Sequence, residues 1–482
     1  MKLAHHTFFN LIGLGAPLLV ALASIPALMH GLGVERFGLL TLIWAVTSYF
    51  GLFDLGVGRA LTQQLAIALN QRAHNQIGPL CATALALMAA FGVLGGLVLA
   101  SLAPWGVDLI NNLSDRSEAV TATLMMGLAM PAIVLTAGLR GMLEAKHEFG
   151  LINLIRLPMG IWTFVGPWLV VYYKGADLVW IAAALALGRW VAMLAHALLV
   201  RRVFTALGSQ WTFQAKLLRP LCVSGGWLTA GNIIGSLLAY ADRFIIGAVV
   251  SAAAVTYYTT PQELVTKLSI LPGALTAVLF PTFAVQTAQR DEAALRLCKD
   301  MLRWLMLVML PLTLALALFA QELLGLWLGA EFAPQGGRPL QIFAAGMLIS
   351  SLAQVPFTVI QSAGRAKVTA LIHAVQVPLF LFALVWAATQ YGIEGAAWAW
   401  LARGAVDALA MAWAAGKVLD DEHHALLSWP TWLALGGCGL AFAGLLLPST
   451  LERGLWLALV GALVGAAMLR QLQLSKRVHG AT

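Results

Sequence analysis

Charge is what this sequence has least of. Only 10% of its 482 residues are Asp, Glu, Lys or Arg, against about 25% in a soluble globular domain. With 60% of residues apolar and a mean hydropathy of +0.85 over the whole chain, no large soluble domain fits anywhere in it. Cysteine is scarce too. Cys81, Cys222, Cys298 and Cys438 are the four present, and their spacing matches neither a disulfide framework nor a metal-ligand set. Strict alternation of apolar and polar residues is missing, which excludes a β-barrel. No zinc-ligand cluster, phosphate-cradling glycine loop or Asp-x-Asp pair occurs, and the longest connections on one side, 104–118 and 320–338, are too short for a catalytic domain. These absences argue against a membrane-embedded polymerase or ligase.

What remains is a succession of long apolar runs. Gly (46) and Pro (18) are frequent, and membrane helices tolerate both because neighbouring helices re-satisfy the freed backbone groups. The runs predict an all-α membrane protein of about fourteen transmembrane helices. The first six are placed at 8–29, 37–58, 80–103, 119–139, 151–173 and 178–200. The next six are at 221–250, 257–285, 301–319, 339–361, 368–389 and 395–415. Two more, at 429–447 and 455–469, close the chain. The first run follows Lys2 and contains Ala21-Leu22-Ala23, but Pro17 interrupts it and it continues past that site, so a retained span is expected rather than a cleaved signal.

The net charge of +8 resembles a nucleic-acid signal until its placement is considered. With the N-terminus in the cytoplasm, the inside segments hold Lys2, Arg72, Lys146, Arg201, Arg202, Lys216, Arg296, Lys299, Lys367, Lys417 and Lys476 among others. The outside loops hold Arg36, Arg116, Lys174, Arg338 and Arg453. The excess is about fourfold in the direction of the positive-inside rule. It predicts an inner-membrane, multi-pass protein with both termini cytoplasmic, and it requires no nucleic acid.

The two halves look like copies. "NLIG" at 10–13 recurs as "NIIG" at 232–235, and "VERFGLL" from Val34 is matched in position by "VTYYTTP" from Val255. Repeated helical bundles are a usual build of secondary transporters. The stretch "GLGVERFGLLTLIWAVTSYFGLFDLGVGRALTQQLA" resembles the start of Wzx-type polysaccharide and O-antigen flippases, of the multidrug/oligosaccharidyl-lipid/polysaccharide superfamily. "YADRFIIGAVVSAAAVTYYTTPQEL" is similar to their seventh and eighth helices. "LWLGAEFAPQGGRPLQIFAAGM" and "QSAGRAKVTALIHAVQVPLF…YGIEGAAWAWLARG" resemble their tenth to twelfth. The resemblance implies two six-helix lobes, 1–205 and 206–416, around a central cavity, with 417–482 supplying two additional helices and a cytoplasmic tail. It implies transport of undecaprenyl-diphosphate-linked oligosaccharide for surface polysaccharide (lipopolysaccharide O-antigen or exopolysaccharide), with no cofactor. It also implies a coupling cation, H+ or Na+, and polymerase and chain-length partners. A cation-coupled antiporter and a peptidoglycan-precursor flippase of the same superfamily are the competing readings.

Charges inside the spans then become candidates, since each costs about 2.5–3.5 kcal/mol at mid-bilayer on the insertion scale. In the seventh span Asn232, Ser236 and Arg243 fall within roughly 40° of one another on a helical wheel, with Tyr240 beside them. Arg243 suits a diphosphate because guanidinium binds phosphate bidentately and stays charged; an interhelical ion pair is the alternative. Lys267, Arg189 and Arg403 are further cationic candidates. Glu263–Lys267 and Arg403–Asp407 each have the i,i+4 spacing that lets a pair neutralise itself within its helix, and His196 is expected at the membrane interface. Gln354 and Thr358 lie on a polar stripe with Ser351 and Gln361, suited to sugar hydroxyls or to neighbouring helices. Thr47, Gly51, Asp54 and Gly58 predict a stripe of small and polar residues on the second span, with Asp54 and Asp242 as candidate coupling-ion carboxylates. No metal site is expected. The orientation is checked by reporter fusions: a reporter in the 320–338 loop should read periplasmic, and a cytoplasmic signal there contradicts it.

Overall fold

Apolar runs of this length have one economical way to satisfy their amides out of water, and the chain takes it. The computed structural model describes residues 2–49, 54–71, 73–204, 211–288, 292–421, 426 and 429–479, which contain helices, turns and no strand. The chain separates into two compact units, Met1–Thr256 and Tyr257–Thr482.

The first unit contains α1 (Lys2–Tyr49), α2 (Val57–Asn70), α3 (His74–Asp108) and α4 (Arg116–Gly127). It continues with α5 (Met130–Ala145), α6 (Phe149–Lys174), α7 (Leu178–Phe204) and α8 (Leu218–Val249). α9 (Ala252–Thr266) begins in this unit and ends in the next. The second unit contains α10 (Ile270–Ala288), α11 (Glu292–Leu318), α12 (Ala320–Leu328) and α13 (Ala333–Ser362). After these come α14 (Ala366–Val418), α15 (Trp429–Phe442) and α16 (Thr450–His479). Among the described residues, nine helical stretches are long and apolar enough to cross a membrane.

Two helices are far too long for one crossing. α1 has 48 residues and would run about 72 Å if straight, against about 30 Å of hydrocarbon. α14 has 53 residues, about 80 Å. Each is broken by a glycine outside helical geometry: Gly33 (φ 76°, ψ 164°) in α1 and Gly392 (φ 59°, ψ −141°) in α14. Positive φ is nearly free for glycine alone. Both breaks fall in the connections expected between the apolar runs, after 29 and after 389.

The second span departs from expectation. Its helix ends at Tyr49, and Asp54 sits in a turn before α2, with Leu55 (φ 46°) and Gly56 (φ 70°) both left-handed. Thr47 and Gly58 therefore belong to different helices, so the stripe read along one helix does not exist as such; Gly51 lies outside the described residues. Asp54 Oδ1 accepts the Gly56 N–H at 2.8 Å, a short-range bond that the carboxylate offers in place of helix continuation.

Packing within each unit is by shape. In the first, Leu61, Leu65, Ile77, Met88, Met142 and Leu143 are completely buried where α2, α3 and α5 meet. In the second, α13 is the most enclosed long helix, and Tyr258, Phe343 and Trp400 form an edge-to-face series at 4.9 and 5.3 Å. α15 and α16 pack on α11. The outward faces are apolar: Leu97, Leu187, Leu326, Leu379 and Phe382 are all exposed. Apolar surface on this scale marks a lipid-facing protein. Trp168, Tyr172 and Tyr173 cluster at the end of α6, and Trp386 meets Tyr391 beside the α14 break, where amphipathic rings suit the headgroup level.

Between helices in lipid, close approach replaces the hydrophobic effect as the driving force. Gly38 of α1 lies under the first turn of α9, where a Cβ would collide with the Ala252 carbonyl, and Thr256 Oγ1 donates to the Val34 carbonyl at 2.7 Å. Gly38→Val should force α9 off α1, at about 1–3 kcal/mol of overpacking. The expected result is a smaller monodisperse peak in fluorescence-detected size exclusion; an unchanged peak contradicts this contact.

Candidate functional site

One end of the first unit is a polar clasp. Beyond the Gly33 bend, Arg36 Nε pairs with Glu118 Oε2 at 2.8 Å, and Glu118 Oε1 accepts the Leu178 N–H at 2.8 Å. Glu35 accepts both the Ser114 N–H (2.7 Å) and its hydroxyl (2.6 Å). Asn111 donates to the Gly247 and Ala248 carbonyls in the last turn of α8. The hydrogen bond to Glu118 raises the Arg36 pKa above an arginine's ordinary value, so the guanidinium stays charged. Beside it lies a cavity of about 370 Å³ whose lining includes Arg36 and the three carboxylates Asp115, Glu118 and Asp177.

Inside the first unit, α8 presents its charges as a compact group. Asp242 and Arg243 are both buried, at 1% and 6% exposure. Asp242 Oδ1 accepts the Arg243 N–H at 2.9 Å, and the Arg243 guanidinium lies 5.2 Å from the centre of the Tyr240 ring, a cation–π distance. The side chains of Asn232 and Ser236 lie outside the described residues, as do those of the "NLIG" and "NIIG" marks. Arg189 on α7 is half-buried, and no hydrogen bond or ion pair reaches its guanidinium from the described residues. His196, expected at the interface, is instead 5% exposed and bonded through Nδ1 to the Ala192 carbonyl at 2.8 Å. About two turns separate it from Arg189, and α7, which carries it, packs against α5 and α6.

The second unit gathers polar groups where the two segments of α14 face each other beside α13. Asp407 Oδ1 accepts from Gln376 Nε2 at 3.1 Å and lies 3.2 Å from His373 Nε2. Phe357 of α13 stacks on His373 at 6.2 Å, and the Arg403 guanidinium sits 5.3 Å from the centre of the buried Phe380 ring. Sequence spacing offered Asp407 only to Arg403; the bonds to His373 and Gln376 cross between segments. The available signal was a second polar face, His373 and Gln376 at i,i+3. Lys267 does pair with Glu263, at 2.8 Å and partly exposed. Thr358 Oγ1 donates to the Gln354 carbonyl, and Ser351 Oγ to that of Met347, both at 2.7 Å. The hydroxyls of that stripe are thus bonded to their own helix. Gln361 Nε2 reaches Thr369 at 2.8 Å. Among the described residues no group of three or more His, Cys, Asp or Glu is placed to hold a metal ion.

A lipid-facing helical protein with buried charged clusters in both units has the character of a membrane transporter, and its fold is that of known ones. A multidrug-resistance transporter of the MATE family and MOP superfamily, in its inward-facing conformation, superposes with a TM-score of 0.72 at 14% identity, over 84% of this chain and 96% of that one. The lipid II flippase MurJ, inward closed, gives 0.65 at 11% identity over 94% and 99%. In sequence, a Shigella flexneri protein named "Putative O-antigen transporter" is 28% identical over 86% of this chain and 97% of its own length. The chain belongs to the polysaccharide biosynthesis protein family, which matches residues 32–336, more than half of its length.

The α14 cluster yields a double-mutant test. Asp407→Leu should cost about 1–3 kcal/mol by stranding the Gln376 and His373 donors. Adding Gln376→Leu should restore part of the thermal stability measured in detergent. Strictly additive losses would show that the two side chains do not interact.

Proposed function

We propose that the protein is a flippase that carries an undecaprenyl-diphosphate-linked oligosaccharide from the inner to the outer leaflet of the inner membrane, for surface polysaccharide assembly. Membership of the polysaccharide biosynthesis protein family, on a helical transporter fold, is the observation that carries this reading. The named function of the Shigella flexneri relative supports it. On this reading the protein moves its substrate without changing it, and its partners are lipids, the lipid-linked glycan and downstream polymerase and chain-length proteins.

The polyprenyl tail stays in lipid, but diphosphate and sugar need a polar path, because unpaired charge in hydrocarbon is prohibitive. The reading supplies that path between two six-helix lobes, 1–205 and 206–416, with 417–482 peripheral and both termini cytoplasmic. Splitting α1 at Gly33 and α14 at Gly392 supports a count near fourteen spans.

Arg243, Lys267, Arg189 and Arg403 are the cations proposed to meet diphosphate. Asn232, Ser236, Tyr240, Gln354 and Thr358 are proposed to meet the glycan. Of the four cations, Arg189 has its charge uncommitted among the described residues, whereas Arg243 is flanked by Asp242 and Tyr240. Outward movement of the bound anion gains about 2.3 kcal/mol per charge per 100 mV from a potential negative inside. A counter-moving H+ or Na+ at Asp54 or Asp242 would reset the empty carrier.

The antiporter reading shares this fold, and cationic drugs would require an acidic path. Deletion of the gene should therefore abolish surface glycan and leave drug tolerance unchanged; the reverse pattern supports the antiporter. Arg189→Ala should leave membrane protein levels normal and reduce surface glycan about tenfold or more, the value of a charge-assisted phosphate contact. Arg189→Lys should restore export in part, because a point charge replaces the planar fork. Export at the parental rate in Arg189→Ala removes this residue from the path.

A further inference from the structure

The two ends of the first unit have opposite chemistry. α3 has 35 residues and separates its ends by about 52 Å. At its C-terminal end lies the clasp, with the cavity lined by Asp115, Glu118 and Asp177. At its N-terminal end, between the close of α2, the start of α3 and residues 214–217, lies a larger cavity of about 530 Å³. Among the described residues its polar lining is Gln64, Gln71, Asn75, Gln76, Gln214 and Lys216, with no carboxylate.

None of these six side chains is hydrogen-bonded within the described residues. Backbone bonds hold the walls around them: Gln71 and Ala73 N–H cap the last carbonyls of α2, and Gln214 N–H donates to Thr83 Oγ1 at 2.9 Å. The cavity walls are therefore fixed while its carboxamides remain available. Carboxamides both donate and accept, as sugar hydroxyls require, and Lys216 adds the one charge. The first turn of α3 has no side-chain cap, so its orphan N–H groups add positive potential. Ile67 and Leu80 provide apolar floor for sugar C–H faces. The volume falls within the range of about 300–1,000 Å³ usual for small-molecule sites.

We propose that this cavity docks the glycosyl-diphosphate headgroup before transport, with sugar hydroxyls on the carboxamides and phosphate on Lys216. On the orientation read from the Lys and Arg distribution, this end faces the cytoplasm, the intake side on the flippase reading. The acid-lined cavity at the opposite end repels the same anion, so docking is favoured at intake and disfavoured at release. The inference rests on the flippase reading for its direction, and on the cavity alone for its ligand chemistry.

The test uses the full chain in nanodiscs. Cys222 is exposed and the other three cysteines are buried, so Gln71→Cys in a Cys222→Ser background provides one reactive thiol in the cavity. Labelling by a polar maleimide is followed with polyprenyl-diphosphate N-acetylglucosamine, soluble N-acetylglucosamine 1-phosphate, or inorganic pyrophosphate present. Protection is expected from both glycosyl phosphates, stronger for the lipid-linked one, and Lys216→Ala should raise the concentration needed by about tenfold. Protection by the soluble compound alone would assign the site to a free glycosyl phosphate and overturn the docking role. Equal protection by pyrophosphate overturns the carboxamide contacts, and unchanged labelling with every probe overturns the site. Flipping of the same lipid, measured in parallel, separates the two claims. Flipping without protection removes the docking site alone; protection without flipping removes the flippase reading alone.

Discussion

Hydrocarbon offers no hydrogen-bond partner to a backbone amide, and nearly every feature of this chain follows from that constraint. Each apolar run must close its own N–H and C=O groups, so it becomes a helix. Side chains face lipid with no penalty for being apolar, so the exposed surface is rich in Leu, Phe and Trp. Without water to expel, helices associate through shape and through polar contacts placed where they can be satisfied. Tyr258, Phe343 and Trp400 show the first mode; Arg36–Glu118 and Gln376–Asp407 show the second.

The same constraint explains what was legible in the sequence. Membrane helices were readable because their signal is length and composition, which need no partner. The breaks at Gly33 and Gly392 fall where the apolar runs were seen to pause. The turn at Asp54 was hidden, because Asp-Leu-Gly inside an apolar run also fits a helix with one polar face. Only the left-handed Leu55 and Gly56, which serve the start of α2, reveal the difference.

Side-chain partnerships were readable only within a helix. Glu263–Lys267 was visible from its i,i+4 spacing and forms. His373 and Gln376 bond Asp407 from another segment of the chain, and no local pattern announces which helices will be neighbours. The position of His196 near a helix end suggests an interface, yet packing buries it. The polar stripe of α13 was visible, but its Ser and Thr hydroxyls turn back on their own carbonyls, as such groups commonly do in membrane helices.

Functionally, the polar groups divide into those that hold the fold and those left uncommitted. The clasp, the Asp54 turn and the α14 cluster are bonded internally, whereas Arg189 and the carboxamide cavity are available to a ligand. A carrier of an anionic, hydroxyl-rich headgroup needs the second kind, and flippase activity is the claim on which this account rests. The most direct measurement is reconstitution of the purified protein in liposomes with a fluorescent polyprenyl-diphosphate glycan, followed by quenching from one face. The account predicts that the quenched fraction rises above that of protein-free vesicles, with no release of glycan from its lipid. Quenching equal to that of protein-free vesicles, across a panel of lipid-linked glycans, would contradict it.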